Sequence, residues 1–218
     1  MAHLTKVKIS NNNWDNSDSD LIVVGVYEDK TFSSIAKSIN EQNGKLFDNA
    51  IDIGDIKGKK GEFHLFYIEN KRILLMGLGK KEKFNENEAR LIAGSASRYA
   101  IDKKIDNFSI ECFPEQKRFC QAFGEGLVLG SYQFFEYKTK KDNNKFILQN
   151  VSVMGCNGNH ILKGASIGEA VCLARDLGNY PGNVATPSKL AQVAEEIADE
   201  GEMNVKILDR EEFTEMGM

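Results

Sequence analysis

Apolar and polar positions along the chain follow two different periods, and their alternation predicts strands interspersed with helices. Continuous apolar runs at residues 20–27 and 72–77 have strand length and no polar face, which is typical of strands covered on both sides. Residues 62–68 form a second β-rich run just before residue 72, and the short polar segment between the two runs predicts a hairpin. Weaker strand patterns are found at residues 3–9, 105–113, 146–154 and 204–208.

Apolar residues spaced three and four apart predict the helices. Asn85 and Glu88 have the spacing of a capping box, and Thr186 followed by Pro187 is a typical helix start. Residues 46–60 are mixed in pattern, and no element is predicted there. Helices are predicted over residues 32–42, 85–99, 114–130, 159–177 and 187–200, with a short helix capped by Asp209.

The order of these elements predicts the fold class. Strands that alternate with helices, together with one hairpin, favour a mixed sheet with helices on both faces, an α/β layered domain. A turn marked by Pro181 and Gly182 separates the last long helix of this domain from the helix that follows Thr186. We therefore predict an N-terminal α/β domain at 1–156, a linking helix at 157–180 and the start of a second α/β domain at 181–218.

Composition sets limits on function. The 218 residues carry a net charge of −4, with 41% apolar and 28% charged residues, which is ordinary for a globular protein. Acids and bases are interspersed, so the composition contains no nucleic-acid footprint. No run approaches the roughly 20 apolar residues of a membrane span, and the N-terminus lacks the apolar segment of a signal peptide. We therefore expect a cytoplasmic protein with no membrane partner.

The sequence offers no complete catalytic or metal site. Cys112, Cys120, Cys156 and Cys172 are far apart within apolar segments, and we interpret them as reduced core thiols. Zinc sites usually use cysteine or histidine pairs that are close in sequence, and the four cysteines and three histidines provide none. The hydrolase motifs GxSxG and HExxH are also missing. We therefore predict no catalytic, cofactor-binding or metal-binding residue in this chain.

Two glycine-rich segments partly resemble the sequence motifs of nucleotide-binding loops. Gly77 and Gly79 follow a predicted strand, but the P-loop spacing and the third glycine of the dinucleotide fingerprint are missing, so a tight turn is favoured over a phosphate site. Gly124, Gly126 and Gly130 fall inside a predicted helix instead of between a strand and a helix. These three glycines predict close packing against the sheet in preference to a ligand site.

A basic cluster consists of Lys138, Lys140, Lys141 and Lys145. Lysines that neutralise phosphates supply salt-sensitive affinity for nucleic acid. Asp142 interrupts the cluster, and we identify no second basic motif in its support. A solvated loop is the favoured interpretation, and nucleic-acid binding stays open.

Two segments resemble motifs of the M17 leucyl aminopeptidases. Residues 125–138, EGLVLGSYQFFEYK, are similar to a segment EG-x-x-LG-x-Y-x-F-x-x-YK late in that family's N-terminal domain. Residues 174–191, ARDLGNYPGNVATPSKLA, are similar to ARDL-x-N-x-P-x-N-x-x-TP-x-x-LA, where the family's catalytic domain begins. The elements between agree in order, and the resemblance extends over the chain from about residue 20.

The resemblance implies a macro-domain-like, three-layer α/β/α sandwich for residues 1–156. It also implies a hexameric enzyme in which two divalent metal ions, commonly zinc or manganese, activate water to remove N-terminal residues from peptides. The family's metal ligands lie in C-terminal segments similar to VGKG-x-x-FD-x-GG and NTDAEGR, and no segment here matches either. We therefore expect that the chain ends before the active site, is inactive alone, and serves oligomer assembly and active-site shielding.

The resemblance also implies the partners: the protein's own C-terminal catalytic domain, the other subunits, and a peptide substrate only at full length. The alternative is a stand-alone module that binds DNA or a nucleotide such as ADP-ribose, since macro-like domains of other proteins hold ADP-ribose-type ligands and some bacterial M17 enzymes bind DNA through their N-terminal domains. The apolar residues of 187–218 would lack sheet partners, which predicts that this part is mobile or packed on a neighbouring molecule.

Overall fold

The computed structural model describes residues 4–11, 13–113, 117–137, 145–156 and 158–218. Within these ranges one six-stranded sheet has the order β1-β6-β5-β2-β4-β3. Five strands run parallel, and β3 pairs antiparallel with β4 at one edge. The strands are β1 (Lys6–Ser10), β2 (Leu21–Val26), β3 (Phe63–Ile68), β4 (Lys71–Gly77), β5 (Asn107–Glu111) and β6 (Asn150–Met154).

Helices cover both faces of this sheet. The helices of the described residues are α1 (Ser34–Gln42), α2 (Leu46–Ile53), α3 (Glu86–Asp102), α4 (Lys117–Ser131), α5 (Gly158–Asn179), α6 (Pro187–Glu200) and α7 (Arg210–Glu215). Residues of α1 and α2 share one apolar core with alternate residues of β2, and residues of α3, α4 and α5 share the other core. The three-layer α/β/α sandwich predicted from the sequence is confirmed.

Strand β2 explains why the sequence pattern pointed to a central sheet. All six of its residues are buried. Leu21 and Val23 face the core beneath α3 and α4, whereas Ile22 and Val24 face the core beneath α1 and α2. Successive side chains of a strand point to opposite faces, so a strand covered on both faces needs apolar residues at every position.

Most predicted elements are present, and two regions differ. The hairpin forms from β3 and β4, and the side chain of Asn85 accepts the backbone N–H groups of Asn87 and Glu88 at the start of α3. Helix α2 lies in the region where no element was predicted. The strand predicted over residues 204–208 is wrong, because these residues form neither a strand nor a helix and pair with no described strand.

The chain divides into two compact units, 1–173 and 174–218, and the division falls within α5. The second unit contains the end of α5, a turn, α6 and α7. In the turn the backbone N–H groups of Val184 and Ala185 both donate to the carbonyl of Pro181, at 2.8 and 3.0 Å. The domain limits at residues 156 and 180 that the sequence suggests stay predictions.

Candidate functional site

The carboxyl ends of β2 and β5 form the switch point of the sheet. These neighbouring parallel strands lead to helices on opposite faces, β2 to α1 and β5 to α4. In open α/β sheets ligands bind in the crevice outside the strand ends at such a point. The switch-point crevice, formed by Ser33, Ile35 and Glu111, is therefore the candidate site that the topology selects.

Glu111, the last residue of β5, fills this crevice with its own carboxylate. Its Oε1 accepts the backbone N–H of Ile35 at 2.8 Å, and its Oε2 accepts the hydroxyl of Ser33. Both donors belong to the start of α1, where unpaired N–H groups and the helix dipole favour a negative charge. Glu111 is only 3% exposed. Its carboxylate lies at the helix start, in the place that a bound phosphate would take.

Ser33 extends this network to β2. Its hydroxyl oxygen accepts the backbone N–H of Gly25 at 3.1 Å, while its own backbone N–H donates to the carbonyl of Gly25 at 2.9 Å. The start of α1 is thus held to β2 directly and to β5 through Glu111. Among the described residues no buried side-chain nitrogen or oxygen lacks a hydrogen-bond partner.

The Gly77–Gly79 segment is the exit from β4 into a loop: Gly77 is the last residue of the strand, and Leu78 and Gly79 are in neither a turn nor a helix. A Cβ atom on Gly77 would lie 2.0 Å from the carbonyl oxygen of Lys59, so only glycine fits there. The backbone N–H groups that would cradle a phosphate all donate within the protein, at 2.8–3.0 Å: Gly77 to Glu62, Leu78 to Val26 and Gly79 to Gly58. A phosphate at this strand exit would find these three donors already used.

The glycines of α4 pack closely, but their partners differ from the prediction. A Cβ atom on Gly126 would lie 2.1 Å from the carbonyl oxygen of Arg90, and one on Gly130 would lie 2.3 Å from Gly94. One on Gly124 would lie 2.2 Å from the carbonyl oxygen of residue 161. The contacts are therefore with helices α3 and α5, and the predicted contact with the sheet is wrong. The large side chains of α4, such as those of residues 119, 123 and 127, fill the core instead.

Glu125, in the first of the two motifs, joins α4 to α3. Its Oε2 accepts the Nε of Arg90 at 2.8 Å and lies 2.7 Å from an Nη of the same guanidinium. The Nε2 of Gln121 donates to its Oε1 at 3.1 Å. Glu125 is 8% exposed, so this two-point ion pair is largely shielded from water and fixes the rotation of α4 against α3.

A cavity of about 520 Å³ lies beside the switch-point crevice, lined by residues at the ends of β1 and β6 and by residues of α1. Its lining mixes polar and apolar groups and includes Trp14, Asp15, Ser34, Gln42 and Cys156. Its volume is that of a small-molecule site. Over the described part of the chain, no group of three or more His, Cys, Asp or Glu side chains is placed to hold a metal ion.

None of the four cysteines is in a disulfide bond in this structure. Cys112, Cys120 and Cys172 are buried as expected, whereas Cys156 is partly exposed. The sequence could not show that three of them meet, since Cys112 and Cys156 follow different strands.

The predicted basic cluster lies largely outside the described residues. Of its members only Lys145 is described, and its Nζ lies 5.6 Å from the centre of the Phe135 ring.

The sequence reasoning missed another lysine-rich surface, which forms because Gly79 donates to the carbonyl of Gly58 and brings two loops together. Its exposed lysines are Lys57, Lys59, Lys60, Lys80, Lys81 and Lys83. Glutamates lie among them, and Lys60 pairs with Glu88 at 2.6 Å.

The second motif forms the helix, turn and capped helix that its residues predicted. Thr186 precedes α6, and its Oγ1 accepts the backbone N–H of Lys189 at 3.2 Å. Pro187 occupies the start of α6, where its missing N–H has no consequence. Asp176 is buried in the last turns of α5.

Among the described helices, none is long and apolar enough to cross a bilayer.

Comparison with known proteins identifies the family. The model of the N-terminal domain of the cytosol aminopeptidase family matches residues 23–141. The chain belongs to this family. Among curated relatives, probable cytosol aminopeptidases of Alkaliphilus metalliredigens and Aquifex aeolicus are 31% and 30% identical to it, over 98% and 90% of this chain. These alignments cover 46% and 41% of the relatives, so the chain spans about half of their length.

Two solved structures have the same fold. A tomato leucine aminopeptidase mutant superimposes with a TM-score of 0.77 over all of this chain and 47% of its own, at 22% identity. The bottromycin maturation enzyme BotP, in a complex with Mn, superimposes with a TM-score of 0.71 over 91% of this chain and 40% of its own, at 20% identity. At such identities the likeness concerns the fold. It agrees with the M17 resemblance of the sequence.

Proposed function

We propose that this chain is the N-terminal part of a metal-dependent leucyl aminopeptidase that removes N-terminal residues from peptides, and that this part is inactive alone. The match of the family's N-terminal-domain model to residues 23–141 carries the proposal. The family resemblance supplies the remainder: two divalent metal ions, zinc or manganese, are bound by a catalytic domain C-terminal to the segments found here. The BotP structure with Mn and the relatives' naming as cytosol aminopeptidases support the metal and a cytoplasmic location.

The role of this part is to assemble the oligomer, a hexamer in the family resemblance, and to shield the active-site entrance. The 174–218 unit exposes seven large apolar side chains, and their number supports a covering partner, because large exposed apolar surfaces usually mark an interaction site. These side chains are Leu190, Ile197, Met203, Val205, Ile207, Met216 and Met218. The protein's own catalytic domain is the proposed cover, and without it we expect residues 187–218 to be mobile or packed on a neighbouring molecule.

Two observations favour this role over nucleotide binding. The carboxylate of Glu111 occupies the helix start at which a phosphate would bind. The backbone N–H groups of the Gly77–Gly79 segment all donate within the protein. A nucleotide would have to displace a buried carboxylate of the same charge sign, which gains little in hydrogen bonding.

Activity on a leucine chromogenic amide in the presence of manganese tests the proposal. The 218-residue chain should give no turnover above a metal-only blank, whereas the full-length relative from Alkaliphilus metalliredigens should give turnover under the same conditions. Removing the aligned N-terminal part from that relative should reduce the number of subunits in its oligomer, as determined by light scattering. Turnover by the 218-residue chain would refute its inactivity, and an unchanged oligomer in the shortened relative would refute the assembly role.

A further inference from the structure

Three cysteines from different elements meet beside the switch-point crevice, and we call them the thiol cluster: Cys112, Cys120 and Cys156. Cys112 directly follows β5, and its backbone N–H donates to the carbonyl of Met154 in β6 at 2.9 Å. Cys156 follows β6 two residues later, while Cys120 belongs to the first turns of α4. The Sγ atoms of Cys112 and Cys120 are 3.8 Å apart, and the thiol of Cys112 interacts with Cys156 as well. Cys112 is thus the central thiol.

Access to the cluster from solvent runs through Cys156. Cys112 and Cys120 are 2% and 0% exposed, whereas Cys156 is partly exposed and lines the cavity of about 520 Å³. A small reagent in the cavity reaches Cys156 before it reaches either buried sulfur. Reactive cysteines are those that are accessible, and a neighbouring thiol that can complete a disulfide makes their oxidation reversible.

The order of reaction follows from the surroundings of the central thiol. Hydrogen bonds with Cys120 and Cys156, together with burial, raise the pKa of Cys112 well above its usual range. A thiol is a far weaker nucleophile than a thiolate, so Cys112 does not react first. Burial also keeps a hydroperoxide from reaching Cys112, so its place is that of the second, resolving thiol, which loses its proton as it attacks a neighbour that has been converted into an electrophile.

We propose that the thiol cluster is an oxidation site for small hydroperoxides, in which Cys156 reacts first and is oxidised to a sulfenic acid, and Cys112 then reacts with it to form an intramolecular disulfide. The Cys156 thiolate attacks one peroxide oxygen, the O–O bond breaks, and the leaving hydroxide or alkoxide takes up a proton as water or alcohol. The Cys112 sulfur then attacks the Cys156 sulfenic acid, the S–O bond breaks, and the oxygen leaves as water with the proton of Cys112. Two thiols lose two electrons, which reduce one hydroperoxide.

Cys120 gives the disulfide a second position. Its Sγ lies 3.8 Å from that of Cys112, and a shift of about 2 Å would bring the two sulfurs to disulfide distance. Attack of the Cys120 thiolate on the Cys112 sulfur displaces Cys156 as a thiolate and frees it for another reaction. In either arrangement Cys112 is a member of the disulfide.

Peptide mapping after limited oxidation tests this assignment. The reduced 218-residue chain is treated with hydrogen peroxide at low protein concentration, its remaining thiols are alkylated, and its peptides are analysed by mass spectrometry. We expect an intramolecular disulfide that contains Cys112, and a return to four alkylated thiols after reduction. The Cys172→Ala variant is the matched control, because Cys172 is buried in the same core and should not affect the disulfide.

Two variants separate the roles of the sulfurs. Cys112→Ser should lower the intramolecular disulfide to background and leave Cys156 as a sulfenic acid that dimedone labels. Cys156→Ser should slow oxidation at least tenfold while circular dichroism and the melting temperature stay near those of the parent. If a variant unfolds, the mapping of the parent decides alone. A disulfide in the parent that lacks Cys112, Cys156 oxidised without any disulfide, or oxidation only in denaturant would each overturn the proposal.

Discussion

The carboxylate of Glu111, at the end of β5, accepts the backbone N–H of Ile35 at the start of α1, and 76 residues separate the two in the chain. A buried charge is tolerated when its hydrogen-bonding capacity is met, and here two donors of the helix start face the carboxylate. The relationship makes Glu111 an internal substitute for an anionic ligand. It also ties three secondary-structure elements together at the point where such folds bind ligands.

Replacing Glu111 with alanine should destabilise the first unit. The variant leaves the N–H of Ile35 and the hydroxyl of Ser33 without the buried carboxylate, which costs about 1–3 kcal/mol for each lost charged hydrogen bond. Urea unfolding followed by circular dichroism measures the change. Glu82→Ala removes an exposed carboxylate and should change the free energy of unfolding by less than about 0.5 kcal/mol.

The same Glu111→Ala variant should gain stability from added phosphate, because it opens a helix start that favours anions. We expect its melting temperature to rise with phosphate more than that of the parent at equal ionic strength. Sodium chloride at matched ionic strength is the control for general salt effects. An equal rise in parent and variant would contradict the role of Glu111 as an anion substitute.

Alanine at Gly126 should destabilise the contact between α3 and α4. The new Cβ would lie 2.1 Å from the carbonyl oxygen of Arg90, so the helices must separate or shift, at a cost of about 1–3 kcal/mol or more. Denaturant titration measures the loss. Gly178→Ala is the matched helical control: its Cβ would meet nothing within 4 Å, and we expect a gain of up to about 1 kcal/mol. Equal effects of the two changes would refute the close-packing explanation.

Stability should fall at alkaline pH in a manner that depends on Tyr27. Burial, and then the negative charges of Asp29 and Glu111, raise the pKa of Tyr27 from 10.0 to about 12. The folded state therefore favours the protonated phenol. This contribution is complete below the unfolded pKa and is lost as the pH rises from about 10 to about 12. At about 1.4 kcal/mol per pKa unit it amounts to roughly 2–3 kcal/mol.

Tyr27→Phe tests this dependence, because it keeps the ring and removes the titrating group. Urea midpoints measured across the alkaline range should fall less steeply for the variant than for the parent. Tyr67→Phe serves as the control, since Tyr67 is 72% exposed. If all three proteins lose stability in parallel, the loss belongs to other groups.

Thr186→Ala should loosen the start of α6. The side-chain oxygen of Thr186 accepts the backbone N–H of Lys189, and losing such a cap costs about 1 kcal/mol. Hydrogen exchange at the first amides of α6 should quicken about fivefold, which corresponds to that free energy. Thr186→Ser keeps the hydroxyl and should restore protection. Fast exchange in the serine variant as well would show that the hydroxyl does not control the helix start.

What the sequence could predict depended on how local each determinant is. Strand β2 and the helix starts at Asn85 and Thr186 were found because burial on two faces and capping leave a signal within a few residues. Helix α2 was missed although Phe47 and Ala50 of its buried face are spaced three apart. The strand expected over residues 204–208 had suitable residues but no strand to pair with among the described residues.

The candidate site was less accessible to sequence reasoning than the fold. Glu111 and Ser33 are 78 residues apart, and no motif links a strand-end glutamate to a distant helix start. The thiol cluster likewise forms because β5 and β6 are adjacent in the sheet, and local sequence patterns do not determine which strands are adjacent. The same is true of the lysines gathered by the contact between Gly58 and Gly79.

The contact of Gly126 with α3 has a consequence for how this sequence can change. The atom that a larger residue would meet is the main-chain carbonyl oxygen of residue 90, which every amino acid carries. No substitution on α3 can therefore compensate for a side chain at position 126. At most core positions a substitution can be compensated by a second substitution at a contacting residue. Position 126 has no such compensation. A library that randomises both helices should recover glycine at position 126 whatever it selects at position 90.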